Sequence, residues 1–176
     1  MIKLVLPNVR YKATYLRAVQ EFIKNGSDNG STSHYLKTEI NKLKLQFDVF
    51  VKQLSDMHKG RNLKDGYVHS TEFWIINTNN KYCGRISLRH KLNDFLSKHG
   101  GHIGYDIIPS ERGKGYSTKA LSLCLKKAKN IGLTKVLLTC DEDNLPSIKT
   151  IESNKGKLKD KLEYNGILTR RYIIKL

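Results

Sequence analysis

Residues 100–120 read Gly100-Gly101-His102-Ile103-Gly104-Tyr105-Asp106-Ile107-Ile108-Pro109-Ser110-Glu111-Arg112-Gly113-Lys114-Gly115-Tyr116-Ser117-Thr118-Lys119-Ala120. Three kinds of local structure meet in this stretch. Ile103 to Ile108 is an apolar, strand-forming run, and Pro109 ends it because proline cannot donate to a ladder. Arg112-Gly113-Lys114-Gly115 is a turn rich in glycine and positive charge. A helix opens near Tyr116 and Ser117. Strand, basic glycine turn and helix N-terminus together form an anion cradle. The first helical amides have no intrahelical partner, the helix dipole favours negative charge, and glycine lets a phosphate reach the backbone. The ligand implied by these residues carries phosphate.

Spacing narrows the choice. A P-loop needs Gly, four intervening residues and then Gly-Lys-Ser/Thr, whereas Gly115 is followed by Tyr116 and preceded by Lys114. A dinucleotide fingerprint would need a glycine where Thr118 stands. No protein-kinase signature occurs elsewhere. What fits is Arg112-x-x-Gly115-x-Ser117 after a strand that ends in proline. At these residues the chain resembles the GNAT superfamily of acetyl-CoA-dependent N-acetyltransferases, whose pyrophosphate loop reads Arg/Gln-x-x-Gly-x-Gly/Ala. Ser117 in the last position is a mild departure. The fuller run Gly100-Gly101-His102-Ile103-Gly104-Tyr105, then Pro109-Ser110-Glu111-Arg112, is similar to a bacterial branch of predicted acetyltransferases. The resemblance is sharp over residues 82–176 and vague before them.

Outward from this stretch, periodicity supplies the rest. Ile2 to Leu6 can form a first strand, and Tyr15, Val19, Phe22 and Ile23 recur at helical spacing up to Asn25-Gly26. Residues 26–33 have the composition of a loop, and Phe47, Phe50, Val51 and Leu54 mark a second helix. Tyr67 to Asn77 and Tyr82 to Leu88 read as strands joined by the turn Asn77 to Lys81. His90 to His99 reads as a connector with Leu92, Phe95 and Leu96 packing inward. Leu121, Cys124, Leu125, Ala128 and Ile131 form a helical stripe that stops at Gly132. Val136 to Cys140 is a buried strand, Ser147 to Ser153 a short helix, and Asn165-Gly166 the two-residue turn of a final hairpin. The resemblance fits this order and implies an α/β chain of the α+β type. It would be one GNAT-like domain over residues 1–176, with a mixed, mostly antiparallel sheet flanked by helices and a splayed central strand pair. No internal repeat or linker interrupts it.

Composition sets the bounds. At 176 residues one domain is expected. No apolar run reaches the roughly 18 to 20 residues of a membrane helix, and the N-terminal apolar run is too short for a secretory signal. Cys83, Cys124 and Cys140 show no metal-ligand or redox spacing and read as buried free thiols, hence a reducing cytoplasm. The formal net charge is +16, from 24 Lys and 8 Arg against 16 acidic residues. Such a charge can bind nucleic acid or ribosomes, steer an anionic ligand such as CoA, or reflect residue usage alone. The lysines are scattered without interleaved aromatics, so a solvated surface is favoured over a nucleic-acid interface. A polycationic acceptor is disfavoured by the same charge.

The resemblance implies acetyl-CoA as cosubstrate, no metal, and an amine acceptor, in a monomer or homodimer. The backbone of Arg112, Gly113, Gly115, Tyr116 and Ser117 would take the pyrophosphate, with Lys114 adding charge. A backbone N–H near Ile107 or Ile108 would polarise the thioester carbonyl. Asn144, three residues before Ser147, matches the position that touches the cofactor arm, and it also reads as a helix N-cap. Position 151, where many relatives carry a tyrosine acid, is Ile151. Tyr164 and Tyr172 are the remaining tyrosines near the chain end. For the base, His102 shares a strand face with Gly104 and Asp106, and imidazole accepts protons near neutral pH. A structural histidine in the sheet explains the same pattern. Glu72 is the second candidate, against a solvated strand residue.

Overall fold

Asn77 closes the first hairpin by itself. Its side-chain Oδ1 accepts from the amides of Asn79 and Lys81, which turns the chain within four residues. In the computed structural model, which describes residues 1–25 and 39–176, this hairpin joins β2 (Ser70–Asn77) to β3 (Tyr82–Arg89). The strand β1 (Ile2–Val5) pairs antiparallel with β2, and β4 (Ile103–Ile107) pairs antiparallel with β3, giving the order β1-β2-β3-β4. A second sheet has the order β5-β7-β6, with β5 (Lys135–Asp141), β6 (Lys157–Tyr164) and β7 (Ile167–Lys175), and is antiparallel throughout. Asn165 and Gly166 turn its hairpin, both at positive φ (48° and 75°), as the Asn-Gly pair predicts. The loop expected over 26–33 lies outside the described residues.

Alternation along the strands sorts the side chains into two apolar clusters. Trp74 and Ile76 of β2, with Tyr82, face the helices α1 (Lys12–Lys24), α2 (Ile40–Leu45) and α3 (Phe47–His58). There Tyr15 stacks on Trp74 with ring centroids 4.8 Å apart, and Phe47 meets Tyr15 edge-on at 5.4 Å. Phe73, Ile75, Ile86, Leu88 and Ile103 face the opposite way, toward α5 (Tyr116–Asn130) and α6 (Leu145–Ser153). Val136, Leu138, Tyr172 and Ile174 of the second sheet belong to this same cluster. A shared core under α5 and α6 therefore holds the two sheets together. Cys83, Cys124 and Cys140 are all buried free thiols within it.

Three local differences from the sequence reading have simple causes. The helix α4 (Asp94–His99) forms where a connector was expected, because Asn93 caps it by accepting the Leu96 amide at 2.9 Å. Its Phe95 faces solvent rather than the interior, at 57% exposure. A separate α2 precedes α3, too short and polar to show a stripe of its own. No helix among the described residues is long and apolar enough to cross a membrane.

Candidate active site

Strands β4 and β5 touch at their beginnings and belong to different sheets beyond that point. The contact is a two-point clasp. The His102 amide donates to the Leu137 carbonyl at 2.7 Å, and the Leu137 amide donates to His102 Nδ1 at 3.0 Å. Gly101 (φ +61°) permits it, since a Cβ there would stand 2.5 Å from the Leu137 oxygen. Burial, and after it the nearby Arg89 cation, lower the His102 pKa.

The ladder with β3 decides which groups β4 turns into the gap. Arg89 N–H donates to His102 O at 2.8 Å, and Ile108 N–H donates to Cys83 O at 3.0 Å. Between these fixed points the pairs alternate, so residues 104 and 106 bond toward β3. Tyr105 and Ile107 then aim their N–H groups the other way, from the edge strand of the first sheet. Of the two amides expected to face the gap, that of Ile108 is engaged by Cys83, which leaves Ile107. Tyr105, two residues earlier, was missed. Its parity depends on the cross-strand register, which no local pattern announces.

The cradle itself is open. Gly115 sits in the left-handed region (φ +72°) as the N-cap of α5, with no side-chain cap. The amides of Gly115, Tyr116, Ser117 and Thr118 have no acceptor among the described residues. A Cβ built on Gly113 or Gly115 would meet nothing within 4 Å. Several bonds hold the loop in shape. Arg112 Nε donates to Ile107 O at 3.1 Å, and the Arg112 amide donates to Pro109 O at 3.2 Å. Arg112 therefore serves the loop through its side chain, its amide being engaged. Lys114 Nζ pairs with Glu111 at 2.9 Å, and this bond raises the lysine pKa. Glu21 of α1 accepts from the Ser110 amide at 2.5 Å and from its hydroxyl at 2.9 Å. Ser117 and Thr150 hydroxyls share a 3.0 Å bond that ties α5 to α6. Four free amides, a helix dipole and a flanking lysine suit a pyrophosphate.

The face that α1 and α3 cover carries the other candidates. Glu72 Oε2 accepts from Arg85 Nη1 at 3.1 Å, and Glu72 Oε1 accepts from Trp74 Nε1 at 3.0 Å. Arg85 Nε donates to Asp106 Oδ2 at 3.0 Å. The structure thus gathers Glu72 and Asp106 around one guanidinium, while His102 is fastened to Leu137. Arg85 could have been anticipated from the register alone. Asn144 is the N-cap of α6, its Oδ1 accepting the Ser147 amide at 3.1 Å. Ile151 is buried in the core. Tyr172 donates to Glu152 at 3.0 Å, and Tyr164 lies exposed at the hairpin end, its ring 4.3 Å from that of His99. Among the described residues, no group of three or more His, Cys, Asp or Glu is placed to hold a metal.

A search of curated protein sequences returned no match. Solved structures match along nearly the whole chain at low identity. The microcin C7 self-immunity acetyltransferase MccE, solved with acetyl-CoA and AMP, superposes with a TM-score of 0.72 at 18% identity, covering 99% of this chain and 92% of that one. The ribosomal L7/L12 α-N-protein acetyltransferase RimL, solved with coenzyme A, gives 0.72 at 16% identity, with 99% and 94% covered. A chimera of the spermidine N-acetyltransferase SpeG from Vibrio cholerae gives 0.64 at 14%, with 99% and 95% covered. At such identities these show the fold, a single α+β domain with antiparallel sheets flanked by helices. The family model of the GNAT acetyltransferases matches residues 39–156. With that span holding β2 to β5, the cradle and the split, the chain belongs to the GNAT acetyltransferase family.

Proposed function

We propose that this protein transfers the acetyl group of acetyl-CoA directly to a primary amine of a small molecule or a protein. The observation that carries the proposal is the conjunction of two free backbone surfaces, the open edge of β4 and the uncapped start of α5. The first offers amides to a thioester carbonyl, the second to a pyrophosphate. In this reading Gly113, Gly115, Tyr116 and Ser117 receive the pyrophosphate, with Lys114 and the Arg112-braced loop beside it. Ile107 and Tyr105 present the amides that polarise the carbonyl, which stabilises charge as it develops there. Asn144 keeps its cap oxygen on α6, and its side-chain amide is left to reach the donor arm. The donor supplies an acetyl group already activated as a thioester.

The amine must lose a proton, and the two candidate bases differ in what they have left. A carboxylate has about four lone-pair sites, so Glu72 can accept a proton or a water while keeping Arg85 and Trp74. His102 uses its Nδ1 lone pair on Leu137, so its neutral ring carries the proton on Nε2. Glu72 is therefore the better placed of the two, and His102 the better suited to hold the split open. The relatives' acceptors differ, an α-amine of a ribosomal protein for RimL and spermidine for SpeG. The net charge of +16 weighs against a polycation here. Three buried free thiols fit a reducing cytoplasm. The same charge supports a second reading, a basic RNA- or ribosome-associated protein, while a CoA-binding module without catalysis would share the cradle and differ in leaving the acetyl group in place.

Thermal denaturation with and without acetyl-CoA tests the proposal. At 100 times its dissociation constant the ligand adds about 2.7 kcal/mol to stability. No shift at millimolar acetyl-CoA sinks the reading, and steep salt-dependent RNA binding that acetyl-CoA leaves untouched favours the second. An amine panel followed by CoA release then separates a transferase from a binding module.

A further inference from the structure

Breaking a thioester leaves a negative sulfur, and a donor aimed at that sulfur lowers the barrier. Tyr105 carries a phenol on the strand with the open edge. Its amide lies on the free edge of β4, and its ring packs on the α5–α6 side of the sheet against the core shared by both sheets. Its hydroxyl spans the gap to α6, donating to the Ser147 carbonyl at 3.5 Å, the outer limit of a hydrogen bond. A bond of that length is readily exchanged for one to a better acceptor. The other tyrosines near the chain end do not compete. Tyr172 is held between Glu152 at 3.0 Å and Arg170 at 3.3 Å, Tyr164 stands in solvent, and position 151 offers only an isoleucine side chain.

We infer that the Tyr105 hydroxyl is the hydrogen-bond donor that stabilises the departing CoA thiolate. This rests on the acetyl-transfer reading. In the step it serves, the amine nitrogen bonds to the acetyl carbon, the C–S bond breaks, and sulfur keeps the electron pair. The amine's proton goes to the base. Burial pushes the Tyr105 phenol up to about 12, against the opposing hydrogen bonds from Ser147 and Thr150. A thiol near pKa 8.5, roughly the ordinary value, cannot pull a proton from such a phenol. Tyr105 thus stays protonated and donates a hydrogen bond, and the sulfur takes its proton afterwards from water. This is a different device from a tyrosine that hands its proton over.

The test needs no acceptor. The thiol of CoA bound to the protein is titrated through the ultraviolet absorbance of its thiolate, in the wild type and in Tyr105→Phe, with acetyl-CoA affinity measured by calorimetry. The bound thiol should ionise at lower pH than free CoA in the wild type. In Tyr105→Phe it should titrate roughly one to two units higher, the value of a hydrogen bond to a charged group. Affinity should be unchanged, because the ring and its packing remain. Equal titration in the two proteins overturns the inference. So does a wild-type bound thiol no more acidic than free CoA, which is read without any variant. Failure of the wild type to bind CoA overturns the acetyl-transfer reading itself, and is seen at the calorimetry step.

Discussion

Gly115 answers to two demands at once. Its φ of +72° is a conformation that costs a residue with a Cβ about 1–2 kcal/mol, and the space beside it has to stay clear for the ligand. Gly115→Glu should therefore fold with a modest loss of stability and lose the acetyl-CoA-induced rise in melting temperature altogether. Differential scanning fluorimetry reads both effects, and a retained shift would mean that the pyrophosphate binds elsewhere. This glycine was legible in the sequence because turn chemistry is local: Arg112, Gly113, Lys114 and Gly115 carry their meaning in their order. Tyr105, Arg85 and Glu21 carry none until the register of β3 against β4 and the docking of α1 are known. His102 was legible as a residue of interest, but its hydrogen bond to Leu137, 35 positions away, was not.

Among the elements, the clasp between β4 and β5 governs the gap, and it depends on a neutral imidazole. Protonating His102 at Nδ1 would set two donors, that nitrogen and the Leu137 amide, against each other. Because the folded pKa is lowered, the unfolded chain binds the proton more readily below the ordinary value of 6.5. The stability that His102 contributes is thus complete above that value and declines as pH falls from it toward the folded pKa. Urea denaturation at a series of pH values should show this decline, and His102→Asn should flatten part of it. His90, lowered in the same direction by burial and by His69 and His58, accounts for a further part. An identical pH dependence in wild type and His102→Asn would remove the clasp from this account. The paired strands were readable where a turn announced them, at Asn165-Gly166 and Asn77. The division into two sheets was not, because it consists of bonds that β4 and β5 do not make. The family resemblance supplied it, and α4 escaped for want of a stripe.

For the whole molecule, a charge of +16 meets a donor that carries several phosphates. Long-range attraction of this kind is screened over about 10 Å at 0.1 M salt and about 3 Å at 1 M. Acetyl-CoA affinity should accordingly weaken as sodium chloride rises through that range, chiefly through the association rate, and stopped-flow binding would show it. Salt-independent association would leave the charge without a part in donor capture. The resemblance was sharpest over residues 82–176, which contain the cradle, the clasp and the final hairpin. The N-terminal third offered periodicity without chemistry.

The first sheet carries apolar packing on both sides, mainly aromatic toward α1 and α3 and mainly aliphatic toward α5 and α6. Such a wall lets one side be rebuilt while the other keeps its lock. Substitutions around Tyr15, Phe47 and Trp74 alter the packing against α1 and α3 without touching the turn at Gly115. Sequence change on the helical side can accordingly accumulate while the opposite side keeps the cradle in form.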